Sequence, residues 1–238
     1  SSDLIGSYEQ FNRGAFYTDG RIDLCKQVVG PDHIEALMAS FVDNPHVKHF
    51  LLGNNIIGIR GARAIANFIK NPDKKSNIST WYLAGNCIDG EGMELIAEAL
   101  AHDTHCKQLW LKRNPIGVRG AAALAKMFET NNTIEVLDLD NTAIMDEGCV
   151  MLFNSLKSNT SMHSLYLDAN GLTVDSATAI ANYYTSKKST RSKCVELLSL
   201  SMNRLGDEGV VALINGLRGV PISSLTLGSN RIEIEGLG

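Results

Sequence analysis

Between Cys106 and Gly120 the apolar and polar residues follow an order that fits neither a helix period nor a plain strand alternation. Cys106, Leu109 and Leu111 fall at i, i+3 and i+5, then Asn114 at i+8, Ile116 at i+10 and Gly120 at i+14. This order predicts a short strand, then a tight turn in which an asparagine side chain replaces a missing backbone partner, then a helix opening near a glycine. The same order recurs from Val47, Ile78, Ile134, Met162, Val195 and Ile222. Its asparagine position is filled by Asn55, Asn86, Asn114, Thr142, Asn170, Asn203 and Asn230, at spacings of 31, 28, 28, 28, 33 and 27 residues. A degenerate copy precedes them, with Ile22 and Leu24 on a strand, Gln27 at the turn, and Ile34 and Leu37 on a helix.

The second half of each copy has a helical period. Leu37, Ile65, Ile96, Leu124, Leu152, Ile180 and Leu213 stand four residues after the glycine position. Phe41, Ile69, Leu100, Phe128, Leu156, Tyr184 and Leu217 stand eight after it, on the same helical face. Small residues at the fifth position (Ala66, Ala97, Ala125, Ala181) leave room for close helix packing.

A strand and helix repeating every 27 to 33 residues with an LxxLxLxxNxL core resembles the ribonuclease-inhibitor type of leucine-rich repeat. The type also occurs in NOD-like receptor arrays, Ran GTPase-activating proteins and leucine-rich-repeat effectors of intracellular bacteria. The resemblance implies an α/β fold: a right-handed horseshoe solenoid of about eight repeats of roughly 28 residues, with a concave parallel sheet and convex helices. Residues 1–18 are expected to form an N-terminal flank or cap and residues 19–238 the repeat domain. Its last repeat is incomplete, stopping near Glu235 where a helix should open, so the natural protein is expected to continue.

Two stretches interrupt the period: Asn71 to Asn77, and Thr185 to Lys193 with Lys187, Lys188, Arg191 and Lys193. Both are expected to be solvated loops between helix and strand. The formal charge of −4 argues against neutralising a phosphate backbone, so no nucleic-acid partner is expected. No apolar run approaches the ~20 residues that span a bilayer, so no membrane partner is expected either. Five separated cysteines without CxxC spacing favour a reducing, cytoplasmic compartment, or the host cytosol were the chain a secreted bacterial effector.

Phosphate-loop, HExxH, GxSxG and calcium-loop patterns are absent, and no enzyme activity, metal or cofactor is expected. His102, Asp103, His105 and Cys106 read as loop residues beside a buried thiol, and the closeness of Cys25 to His49 reads as coincidence. The family resemblance assigns the recurring asparagines to backbone bonding within the turns.

Function is therefore expected on the uncovered sheet face. One outward row runs Asp23, Leu51, Tyr82, Trp110, Asp138, Tyr166, Ser199, Thr226, and the next Cys25, Gly53, Ala84, Lys112, Asp140, Asp168, Ser201, Gly228. Tyr82, Trp110, Lys112, Arg113, Asp138, Asp140, Tyr166 and Asp168 are the expected partner-binding residues, because exposed aromatics among ordered charges mark interface centres. The expected partner is a folded protein, an enzyme or a bacterial effector among the candidates, held by a chain that is monomeric on its own. Inhibition of an enzyme would then work by occluding its active site. Two alternatives are a GTPase-activating protein resembling the Ran regulators, with Arg113 and Arg119 offered for the electrostatic role, and the sensing part of a larger receptor or effector.

Overall fold

The computed structural model describes residues 8–11 and 14–233. Eight three-residue strands lie side by side in chain order, all parallel: β3 (Arg21–Asp23), β4 (His49–Leu51), β5 (Thr80–Tyr82), β6 (Gln108–Trp110), β7 (Val136–Asp138), β8 (Ser164–Tyr166), β9 (Leu197–Ser199) and β10 (Ser224–Thr226). Ahead of them, β1 (Tyr8–Phe11) and β2 (Gly14–Tyr17) form an antiparallel hairpin, and β2 pairs antiparallel with β3. This hairpin falls in the stretch expected to be a flank or cap, and it extends the sheet beyond the first parallel strand. The incomplete last helix expected near Glu235 lies outside the described residues.

Seven helices alternate with the parallel strands among the described residues: α1 (Gly30–Ser40), α2 (Gly58–Lys70), α3 (Gly90–Leu100), α4 (Gly117–Phe128), α5 (Met145–Ser155), α6 (Val174–Thr190) and α7 (Gly206–Leu217). The result is an open α/β solenoid with its sheet on one side and its helices on the other. Strands stack about 4.8 Å apart and helices about 8–10 Å apart, so the sheet takes the inside of the curve.

The core lies between the two layers. Phe50, Trp81, Leu109, Leu137, Leu165 and Leu198, the middle residues of successive strands, are all buried. They face Ile65, Ile96, Leu124, Leu152, Ile180 and Leu213 from the helices, also buried. Burying each such side chain contributes roughly 1.5–3 kcal/mol, and no single repeat has enough of them to stand alone. The recurring glycine is a spacing device. A Cβ on Gly148 would come within 2.6 Å of the Ala121 Cβ on the preceding helix.

Asparagine staples join the repeats. The Asn114 amide donates to Leu83 O at 2.9 Å and Leu111 O at 2.7 Å, while its oxygen accepts from the Asn86 and Ile88 N–H groups at 2.9 and 3.0 Å. Asn55, Asn86, Asn170, Asn203 and Asn230 likewise donate to a carbonyl of the repeat before them. Thr142 is the exception. Its hydroxyl donates to Leu139 O and Asn170 Oδ1, and it forms no side-chain bond to the repeat of Asn114.

The expected loop at Asn71 to Asn77 is irregular, but the one at Thr185 to Lys193 is not a loop over most of its length. α6 continues through it to Thr190, and Lys187 is only 2% exposed. The reason is a second ladder at 28-residue steps on the helix-to-strand side. The Asn131 amide donates to Leu100 O at 2.7 Å, the Asn159 amide to Asn131 O at 2.8 Å, and the Lys187 ammonium to Asn159 O at 2.5 Å. Lys187 thus fills an asparagine position, and its burial pulls its pKa down.

Replacing Asn114 with alanine leaves four buried backbone groups without their partner, each costing about 1–3 kcal/mol before relaxation. Asn114→Ala is expected to lower unfolding free energy by at least ~2 kcal/mol in urea titrations, whereas Thr142→Asn, which restores a staple, is expected to raise it by about 1 kcal/mol.

Candidate functional site

Side chains on a strand alternate between faces, so the residues flanking each buried middle residue point to the uncovered side. The register carries no slip: Asp23, Leu51, Tyr82, Trp110, Asp138, Tyr166, Ser199 and Thr226 are successive Cα partners. Cys25, Gly53, Ala84, Lys112, Asp140, Asp168, Ser201 and Gly228 follow as a second row, held by bonds such as Gly85 N–H to Lys112 O and Arg113 N–H to Asp140 O. A third outward row was not anticipated from the sequence. It runs Arg21, His49, Thr80, Gln108, Val136, Ser164, Leu197 and Ser224, ahead of the LxL signal.

The structure gathers the aromatic residues at the middle of this face. The ring centroids of Trp110 and Tyr166 lie 5.8 Å apart with planes at 28°, and those of Tyr82 and Trp110 lie 6.3 Å apart at 41°. The Trp110 indole N–H donates to Gln108 Oε1 at 3.3 Å. Gly53 makes space for Tyr82, since a Cβ there would sit 2.7 Å from the Tyr82 ring.

Trp110 and Tyr166 occupy strands two apart, with Asp138 between them. Two strand spacings are about 9.6 Å, so rings 5.8 Å apart must lean together over Asp138. Asp138 is accordingly 1% exposed, and the open carboxylate expected at that position is a buried one. Burial pushes its pKa up, while the Asp140 N–H and the charge of Lys112, whose Nζ lies 4.0 Å from Asp138 Oδ2, oppose the rise.

Asp140 and Asp168 stay accessible beside the stack. Asp140 Oδ1 accepts from the Asp168 N–H at 2.8 Å, and Asp168 Oδ1 accepts from Ser199 Oγ at 2.6 Å and the Ser201 N–H at 2.7 Å. The Asp140 pKa is pushed up to about 6, first by burial and then by the Asp138 and Asp168 charges. Arg113 sits in the turn after β6 with φ of 58°, exposed, and reaches along the rim to Asn54 Oδ1 at 3.5 Å. The eight expected residues therefore form a half-covered aromatic centre, one buried carboxylate, two accessible ones and a basic edge.

Other candidates separate. His49 bonds Thr80 Oγ1 at 2.9 Å, while Cys25 Sγ accepts from the Gly53 N–H at 3.2 Å and its thiol is pushed up to about 11 by burial. Asp103 Oδ1 accepts the His105 and Cys106 backbone N–H groups, so it holds the loop. An open depression of about 1060 Å³ lies on the helix side, lined in part by Ala97, Ala101, Ala122 and Ala123. Its charged lining is mixed in sign, with Arg119 paired to Glu94 at 2.6 Å and Lys70 to Glu98 at 3.1 Å, so it presents no chemistry of one sign.

The leucine-rich-repeat family profile matches residues 74–97, 130–153 and 191–213, stretches that cover the strand-turn-helix units beginning at β5, β7 and β9. These stretches of the chain are leucine-rich repeats. The chain's repeats resemble those of human "NACHT, LRR and PYD domains-containing protein 12", with 26% identity over 212 residues, 77% of this chain and 20% of that one. They also resemble the "Protein phosphatase 1 regulatory subunit 37 homolog" of Caenorhabditis elegans, with 32% identity over 133 residues, 55% of this chain and 14% of that one. The leucine-rich-repeat chain thus spans about a fifth or less of the length of these two relatives. A solved structure, "Leiomodin-1 Actin-Binding Site 2 (ABS2)", shares the fold at a TM-score of 0.50 and 20% identity, over 64% of this chain and 87% of that one. No helix among the described residues of the leucine-rich-repeat chain is long and apolar enough to cross a membrane.

A carboxyl whose folded pKa lies above its unfolded value disfavours the charged native state, so the stability it supports at low pH is lost as pH rises through the folded value. For Asp140 that window runs from about 4 to about 6. Asp140→Asn keeps an acceptor for the Asp168 N–H. It is expected to flatten the fall in stability across this window, measured by urea unfolding at closely spaced pH values.

Proposed function

We propose that this leucine-rich-repeat array is a non-enzymatic recognition module that holds a folded protein against its concave sheet face. The observation that carries the reading is the Trp110–Tyr166 stack on a sheet face that no element among the described residues covers. A large aromatic surface left half-open on one side of a rigid array costs solvation without serving the core. Trp and Tyr are also the residue types in which interface energy concentrates. Tyr82, Asp140 and Asp168 surround the stack, with Lys112 and Arg113 at its edge, so the face offers an apolar centre within a charged margin.

The similarity to a relative named as a phosphatase regulatory subunit supports a protein partner, and an enzyme in particular. For an enzyme partner the mechanism is occlusion: the curved face covers the mouth of the active site and contributes no reacting group. The GTPase-activating alternative has less support. The Arg119 guanidinium is engaged by Glu94 at 2.8 and 2.6 Å on the helix side, and Arg113 reaches along the rim to Asn54. The net charge of −4 argues against nucleic acid, and five unbridged thiols favour a reducing compartment such as the cytosol.

Trp110→Ala and Tyr166→Ala are expected to weaken binding of the purified, identified partner by more than ~2 kcal/mol each, about 30-fold, in titration calorimetry. Their thermal midpoints are expected to stay near that of the parent, because neither ring belongs to the buried core. Full affinity in both variants would remove the concave-face reading.

A further inference from the structure

Carboxylates outnumber cations on the open sheet face where its rings are. Across the three outward rows of β6, β7 and β8 and the residues that continue them, the charged side chains are Lys112, Asp138, Asp140 and Asp168. Three carboxylates thus meet one ammonium, and that ammonium is directed at the buried Asp138. Asp140 and Asp168 each commit Oδ1 to neighbouring N–H or O–H groups. Neither Oδ2 has a hydrogen-bond partner among the described residues, and neither is sealed from solvent. Two carboxylates with a free oxygen each, carried on adjacent chain segments whose backbones run about 4.8 Å apart, therefore stand next to an aromatic stack.

We propose that this part of the concave face takes an arginine side chain of the partner protein, its guanidinium laid against the Trp110–Tyr166 stack and hydrogen-bonded to the free oxygens of Asp140 and Asp168. The inference rests on the concave face being the binding surface. A guanidinium is flat, weakly hydrated and carries donors in a fork, so it can stack on a ring and bridge two carboxylates at once. A lysine ammonium brings a compact, strongly hydrated charge that does not stack. A cation here also relieves the repulsion among Asp138, Asp140 and Asp168, which together with burial holds the Asp140 pKa near 6. Lys112, which already lowers that pKa, stays paired toward Asp138. Because the guanidinium favours ionised Asp140, affinity falls as pH drops below about 6.

The test uses the whole chain labelled with ¹⁵N and three capped hexapeptides in which glycine alternates with arginine, citrulline or glutamate. The two tryptophans serve as reporter and control, since Trp110 is on the face and Trp81 is 2% exposed in the core. The arginine peptide is expected to shift the Trp110 indole N–H signal saturably and leave that of Trp81 in place. The citrulline and glutamate peptides are expected to bind at least tenfold more weakly. Asp140→Asn and Asp168→Asn, whose folding is checked by the unchanged Trp81 signal, are each expected to cost the arginine peptide about tenfold. Equal binding of arginine and citrulline peptides, preference for glutamate, or no shift with any peptide overturns the arginine assignment. None of these results touches the concave-face reading, which stands or falls on the Trp110→Ala and Tyr166→Ala affinities for the identified partner.

Discussion

Each buried asparagine amide bonds two turns of the solenoid at once, and the geometry of the sheet face follows from that double attachment. The amide nitrogen of Asn86 donates to Leu52 O in the previous repeat and to Leu83 O in its own, while its oxygen accepts the Asn55 N–H. A backbone that turns this sharply cannot satisfy its own polar groups, and leaving them unpaired in the core would cost about 1–3 kcal/mol for each group. With every turn held to the next, neighbouring strands have little freedom to slide. A one-residue slip would exchange the inward leucines for the outward residues along the whole array.

The ring stack is a direct product of that fixed register. Trp110 and Tyr166 meet because their strands are two steps apart with no slip between, and because the intervening residue is small enough to lie beneath them. That residue is a carboxylate, which is an expensive choice for a buried position. Asp138 is partly compensated by the Asp140 N–H and by Lys112. It ties the aromatic centre to the charged edge, so disturbance of either reaches the other. The fold and the candidate surface therefore share a single residue whose own solvation is poor.

Much of this was legible in the chain itself. The recurring LxxLxLxxN order sets the strand register, and with it the membership of two outward rows, because a fixed period fixes which residue neighbours which. What the order does not encode is how far a side chain leans. The burial of Asp138 depends on ring orientations on two other strands. The row through Gln108 and Ser164 precedes the leucines that carry the signal. Lys187 also misled, because a lysine in a run of charges reads as solvated, whereas its ammonium completes a ladder otherwise built by Asn131 and Asn159. The hairpin of β1 and β2 lies outside the period altogether.

The substitution at Thr142 has a mechanical side. At this one junction among the described residues the turns of Asn114 and Thr142 are joined by backbone bonds, such as the Gly117 N–H to Thr142 O at 3.0 Å, with no turn amide behind them, while the Asn159 amide on Asn131 O and Lys107 on Glu135 still bridge the two repeats. Elsewhere the array resists bending through both. Thr142 lies in the turn that holds Asp140 and follows Asp138 at the end of β7, so the joint without a turn amide lies beside the aromatic centre. Small changes of curvature there would open or close the gap between Trp110 and Tyr166 without altering the strand register.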